Sequence, residues 1–233
     1  MGWARGSIKT TRNWRRTLLT AMVILAAAAA LWMAWSAWLA PTRVALVHYP
    51  DFQAARLLKA SPGAFTRAEV LPLERLNQAR RYDLVLVFGR GLKLDDAQMQ
   101  QLRAAAQSGT PVYVDGATNP QHDMLTSLQG VDLDAVSAYL RGGGPVNYAR
   151  LQTYARRVLD GKRLFASQVE PPQPMPQDVF FHLSDEAVFA DFASFEQYLQ
   201  KQPGWKPGRP RLALLTSVPG PFNANRDHVD AAI

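Results

Sequence analysis

The side chains of this 233-residue chain best suited to hold a metal ion or relay a proton are its four histidines, His48, His122, His182 and His228. Imidazole ligands must be brought together, commonly as an i, i+4 pair on a helix or an HxH pair on a strand, and these four form neither. With no Cys anywhere, thiolate ligation and a disulfide framework are excluded as well. Gly89-Arg90-Gly91-Leu92-Lys93 has neither the GxxxxGK[ST] spacing of a P-loop nor the GxGxxG of a dinucleotide turn, so its glycines read as turn residues. Two loops remain as candidates for ligand contact. Asn225 and His228 fall where a strand passes into a helix, the mouth at which α/β sheets take ligands; the alternative is a surface histidine in a first helical turn. Arg141-Gly142-Gly143-Gly144-Pro145, followed by Asn147, separates two helical patterns. Three glycines interrupt helix and Pro145 suits the first turn of the next one. That loop is either a plain connection or a close backbone approach, through Gly142, Gly143 and Asn147, to a ligand or a second domain.

The elements that must position these loops alternate short apolar runs with helical patterns, the signature of βαβ units and a largely parallel sheet. Strands are expected at 43–49, more weakly at 68–71, at 83–88 and at 111–115, with helices at 52–59 (capped by Asp51), 74–80 and 96–107 (capped by Asp95 and ended by Gly109). Asp83 to Phe88 is almost continuously apolar, as strands buried on both faces are. The spacing predicts a small doubly wound, flavodoxin-like α/β domain over 42–130 that folds without the rest. His48, Tyr49, Gly89, Arg90, Asp115 and Gly116 then lie beyond the carboxyl ends of its strands. Helices at 133–140 and 147–159 form a helical segment, 131–168, around the glycine loop. Residues 169–206 combine a connector with four prolines in VEPPQPMPQD and an aromatic helix over 189–200. From 207 a strand at 211–217, a loop and a helix from 226 open a second α/β domain that the chain leaves unfinished, so it reads as the amino-terminal fragment of a longer protein.

The formal net charge of +7 would suggest an anionic partner, but its distribution says otherwise. Residues 1–16 hold Arg5, Lys9, Arg12, Arg15 and Arg16 and no acid, leaving 21 of the 26 basic residues against 19 acidic ones. With no basic stripe interleaved with aromatics after residue 43, nucleic acid is not expected as a partner. The charged segment 1–16 leads into an uncharged stretch, 17–41, whose run from Leu18 to Ala40 is about 35 Å long as a helix, enough for a bilayer core of roughly 30 Å. Trp14 marks one end and Trp32, Trp35 and Trp38 the other. A cleaved signal is disfavoured by the length of the run and by the poor site Ala34-Trp35-Ser36. Arg15-Arg16 loosely resembles a twin-arginine signal but suits any anchor, and a core helix would need a polar face. The expectation is a single-pass signal anchor in the inner (cell) membrane, amino terminus cytoplasmic and body extracytoplasmic.

Three segments together resemble the large-subunit family of class I metal chelatases, the CobN cobaltochelatase and magnesium-chelatase H proteins. Tyr139 to Asn147 (YLRGGGPVN) is similar to the family's tyrosine followed by G-G-P-E-N, with Val146 in place of Glu. Phe180-Phe181-His182-Leu183, with Phe189 and Phe195 to Leu199, is similar to its "HP…F…eeYl" stretch, with Leu183 in place of Pro. Arg209 to Leu215, leading through Asn223 and Asn225 to His228 and Asp230, resembles the strand, loop and helix that open the next family domain. The resemblance covers residues 139–233 by motif and the first domain only by type.

The resemblance implies ATP-dependent insertion of a divalent metal, cobalt or magnesium, into a tetrapyrrole such as a cobalamin precursor or haem, or its removal. ATP would be hydrolysed by separate AAA+ subunits, and uptake-system components are alternative partners for an extracytoplasmic body. Asn225 and His228 become the tetrapyrrole candidates, while this fragment holds no cofactor and carries neither chelatase nor ATPase activity of its own. A different class, a membrane-anchored, non-catalytic α/β ligand-binding or sensory module, fits the same first domain.

Overall fold

The computed structural model describes residues 8–174, 180–182 and 184–208. The apolar run forms helix α1 (Ile8–Ala34), continued by a single π turn, Trp35–Leu39. Residues Thr17–Leu39 have a mean hydropathy of 2.1 and none of this span is covered by the rest of the protein, so the helix is long and apolar enough to cross a membrane. Trp14, Trp32, Trp35 and Trp38 are all exposed on it.

Two residues beyond the π turn the body begins. Its elements are β1 (Thr42–Val47), α2 (Asp51–Lys59), β2 (Thr66–Val70), a 3-10 stretch Leu73–Arg81, β3 (Leu84–Phe88), α3 (Asp96–Gln107), β4 (Val112–Asp115), α4 (Pro120–Asp123), α5 (Gly130–Gly142) and α6 (Gly144–Tyr154), the last running into a second π turn, Ala155–Leu159. The four strands pair in the order β2-β1-β3-β4, every pair parallel. Successive strand side chains face opposite sides. Val44, Leu46, Leu84, Leu86 and Tyr113 therefore meet α2, α5 and α6, whereas Ala45, Val47, Val85, Val87 and Val114 meet the 3-10 stretch and α3. Helices on both faces of a parallel sheet make the body a doubly wound α/β fold, as expected.

Several elements differ from the sequence reading in instructive ways. Asp51 is not the cap of α2 but a residue of its first turn, where a carboxylate complements the helix dipole; Pro50 occupies the cap position. The helix expected at 74–80 is 3-10 and kinked at Arg75, and its buried residues Leu76 and Ala79 are three apart, the spacing that eclipses side chains in a three-residue turn. The short α4 was not anticipated, although Asn119 capping Gln121 and Pro120 in the first turn are its ordinary start signals. The helices flanking the glycine loop are longer than expected. Gly143 and Gly144 leave helical geometry, at φ +57° and +75°, and the Gly143 N–H reaches back to the Tyr139 carbonyl at 3.1 Å to end α5.

The larger apolar cluster does not stop at residue 130. It runs from β1 and β3 through Leu128 into Val136, Tyr139 and Leu140 of α5 and Tyr148, Leu151 and Tyr154 of α6. One face of the sheet is thus covered by α5 and α6 together with α2. The domain expected over 42–130 shares this face with residues of α5 and α6.

A buried arginine ties α1 to this body. Arg156 is 1% exposed. Its Nη1 donates to the carbonyls of Ala40 (3.2 Å) and Phe65 (2.9 Å) and to Thr42 Oγ1 (3.3 Å), and its Nη2 to the carbonyls of Trp38 (3.2 Å) and Leu164 (3.0 Å). The guanidinium also lies 5.2 Å from the Phe65 ring centroid. Nearby, Asp160 accepts from Thr42 Oγ1 at 2.5 Å and from Lys162 at 2.8 Å.

Beyond the proline-rich connector, β5 (Phe180–His182) and β6 (Ser184–Phe189) form an antiparallel hairpin followed by α7 (Phe192–Gln200), which is capped by Asp191 through Ser194 N–H at 2.8 Å. Phe180 and Phe189 of the hairpin make ring contacts with Phe192, Phe195 and Tyr198 of the helix at 5.0–5.7 Å. The helix expected from 189 starts at Phe192 because β6 takes the chain as far as Phe189. The second α/β domain expected from 207, with Asn225 and His228, lies outside the described residues beyond 208.

Candidate functional site

The strand order reverses between β1 and β3, and in open α/β sheets ligands collect beyond the strand ends at that switch point. The residues expected there from sequence are there. His48 follows β1 with φ +59°, a left-handed conformation uncommon for a non-glycine residue, and its Nδ1 lies 3.0 Å from the Phe88 carbonyl at the end of β3. Gly89 donates to the Asp115 carbonyl at 2.7 Å, and a Cβ on it would come within 2.7 Å of the Ala117 backbone, so only glycine lets the β3 and β4 turns approach this closely.

Three tyrosines complete the edge: Tyr49, expected there from sequence, and Tyr113 and Tyr148, which the sequence did not single out. Tyr49, Tyr113 and Tyr148 are buried, and the Tyr49 hydroxyl has no hydrogen-bond partner among the described residues. Burial first, then the charge of Asp115 and the neighbouring phenols, pushes Tyr49 well above the ordinary phenol range. Burial likewise raises Tyr113 and Tyr148. At neutral pH the set is three protonated phenols near the Asp115 carboxyl. Arg90 and Arg141 bear on Asp115 from the turn after β3 and from α5.

Burial raises the Asp115 carboxyl above the usual carboxylate range, and Arg90 and Arg141 only partly offset it. A raised folded-state pKa means that the folded protein binds the proton more tightly than the unfolded chain, so stability is greatest below the unfolded pKa and declines as pH rises through the folded one. Asp115→Asn is therefore expected to flatten the fall in melting temperature between about pH 4, the unfolded carboxylate value, and neutrality. A wild-type protein whose stability instead rose across that window, with the rise abolished in Asp115→Asn, would contradict the assignment.

The glycine loop builds a second arrangement. Asn147, 3% exposed, receives the Gln173 N–H on Oδ1 and donates Nδ2 to the Gln173 carbonyl, both at 2.8 Å. Its amide thus pairs with the extended connector as a strand neighbour would. Tyr139 donates its hydroxyl to the Glu170 carbonyl at 2.6 Å. Arg150 donates to the Pro171 carbonyl at 2.8 Å and forms an ion pair with Glu170. A Cβ on Gly142 would collide with the Asn147 amide and come within 2.8 Å of the Gln173 carbonyl. Proline-rich chain has few donors of its own, so side chains of α5 and α6 must hold it. Gly142 and Asn147 thus lie against the connector at Gln173 of the same chain.

Residues 137–233 match the family model described as CobN/Magnesium Chelatase. Over that segment, less than half of the chain, the protein is similar to the CobN/magnesium chelatase family. The matched stretch begins inside α5 and takes in Tyr139, the glycine loop, Asn147, Arg150, the connector and the aromatic hairpin, and it extends over Asn225 and His228. The switch-point residues His48 to Asp115 precede it. Among solved structures, the catalytic subunit of cobaltochelatase from Mycobacterium tuberculosis aligns with a TM-score of 0.44 at 16% identity, covering 60% of this chain and 12% of that one. The chain thus spans about an eighth of that subunit's length. No curated protein matches the chain. Among the described residues no group of three or more His, Asp or Glu side chains could hold a metal ion.

Proposed function

We propose that this chain is the membrane-anchored amino-terminal part of a CobN-like large subunit that acts on a tetrapyrrole, inserting a divalent metal such as cobalt or magnesium or removing one. The observation that carries the reading is the CobN/magnesium chelatase match over residues 137–233. Metal and ring, a cobalamin precursor or haem, are substrates here. Asn225 and His228 are the proposed ring contacts, and the Gly142, Gly143 and Asn147 loop sets the connector that leads the chain toward them.

The anchor is proposed to cross the inner membrane once. Five basic residues before Thr17 and none among residues 17–42 support a cytoplasmic amino terminus and an extracytoplasmic body. The resemblance implies that ATP would be hydrolysed by separate AAA+ subunits if the work is insertion; a body outside the cytoplasm would favour uptake-system partners and removal.

Absorbance titration with a metal-free porphyrin and a metal-free corrin tests the assignment. The full gene product is expected to give a saturable micromolar-range band shift. Asn225→Ala combined with His228→Ala should weaken it about tenfold or more, the loss of a contact worth roughly 1.4 kcal/mol. Residues 42–233 alone should give no saturable shift. A full gene product that binds neither ring, or a double variant that binds like wild type, would remove the function or the contacts respectively.

A further inference from the structure

We infer that the loop carrying Leu164 and Phe165 is a second membrane contact, a tip that enters the lipid interface beside the end of α1, so that the body stands on the bilayer instead of hanging from a flexible tether. The inference rests on the reading of α1 as a membrane span. The geometry that carries it begins with Arg156. One nitrogen, Nη2, bonds the carbonyls of both Trp38 and Leu164, so the Leu164 backbone lies within two hydrogen bonds of the last turn of the apolar helix. Trp35 and Trp38 are exposed at that level, where indole rings favour the headgroup layer.

At the same level the loop turns its apolar side chains outward. Phe165 is 72% exposed and Leu164 49%, whereas Leu57 and Leu151 are buried. Phe165 also has φ +55°, an uncommon conformation for a bulky residue that persists only where surrounding structure imposes it. Here its ring stacks on Phe65 at 4.9 Å between centroids, and Phe65 in turn lies against Arg156. Arg157 braces the following turn through the carbonyls of Ala166 and Ser167, each at 3.2 Å. Beside the tip, Arg163 is exposed, placed to lay its stem along lipid and its guanidinium among phosphates. An apolar pair flanked by a cation, held rigidly at the level of an interfacial tryptophan belt, has the chemistry of a lipid interface.

The absence of cysteine makes the test direct, because any introduced thiol is unique. Nitroxide labels on Leu164→Cys, Phe165→Cys, Ala28→Cys and Met124→Cys would be read in the full chain in phosphatidylcholine/phosphatidylglycerol nanodiscs. Met124 is as exposed as Phe165 but lies toward the carboxyl end of the sheet, since the chain following it pairs with β4 through Thr126 and Ser127. The expected result is that labels at 28, 164 and 165 are relaxed by oxygen and shielded from a water-soluble nickel chelate, whereas the label at 124 shows the reverse. Labels at 164 and 165 as open to nickel as the one at 124, with 28 still shielded, would overturn the tip and leave the anchor standing. A label at 28 open to nickel would overturn the anchor itself, and the tip with it.

Discussion

Replacing Arg156 with Met is expected to cost about 3–5 kcal/mol, the usual consequence of removing one side of a buried, hydrogen-bonded charge arrangement. The thioether can fill much of the volume but donates nothing. The carbonyls of Trp38, Ala40, Phe65 and Leu164 and the Thr42 hydroxyl all lose a donor together, and each buried acceptor left without a partner costs about 1–3 kcal/mol before relaxation. For a domain of this size a cost of that order lowers the melting temperature by roughly 10 °C or more. Burial lowers the Arg156 pKa from its ordinary value, with Asp160 and Asp83 opposing, yet guanidinium stays protonated in proteins and the interaction should not titrate. Arg156→Lys should recover only part of the loss, because one ammonium has three donors and no planar fork. A Met variant that melts within a degree or two of wild type would show that water replaces the guanidinium at no cost.

The sheet was legible in the sequence because its central strands are buried on both faces, which forces near-continuous apolar runs such as Leu84–Phe88 between turn residues. So was α3, whose Asp95 and Gln98 make a reciprocal capping box. The switch-point residues followed from strand ends alone. Arg156 was not legible, since an Arg-Arg pair in a helical stretch reads as a solvated face, and its five acceptors come from residues 8 to 118 positions away. Tyr113 and Tyr148 were hidden for a related reason: a tyrosine on an apolar face looks like core until the carboxyl edge of the sheet is seen to close over it. Asn147 was singled out as part of a loop, but its partner Gln173 lies 26 residues on, and nothing in the local pattern joins a glycine loop to a proline-rich connector.

Cutting the chain after residue 130 is expected to abolish cooperative folding of the α/β body, whereas residues 42–174 should fold. The cut removes Val136, Tyr139, Leu140, Tyr148, Leu151 and Tyr154, all buried against the face formed by Val44, Leu46, Leu84 and Leu86. At about 1.5–3 kcal/mol for each large apolar side chain removed from water, these six contribute on the order of 10 kcal/mol. That matches the entire net stability of a typical domain, about 5–15 kcal/mol. The strand side chains they cover would also be exposed, and the Leu57 carbonyl of α2 would lose the amide of Gln152 that donates to it at 2.7 Å. The 3-10 stretch and α3 protect only the opposite face, which leaves this face of the parallel sheet to α2 alone, and parallel sheets almost never leave one face largely uncovered. Residues 42–130 should therefore show no sharp thermal transition and poorly dispersed amide resonances, while residues 42–174 show both a transition and dispersion. A cooperative melt of the shorter piece would mean that α2 alone can seal the face, and that α5 and α6 belong with the segment after residue 137 as a separate folding unit docked onto a finished sheet.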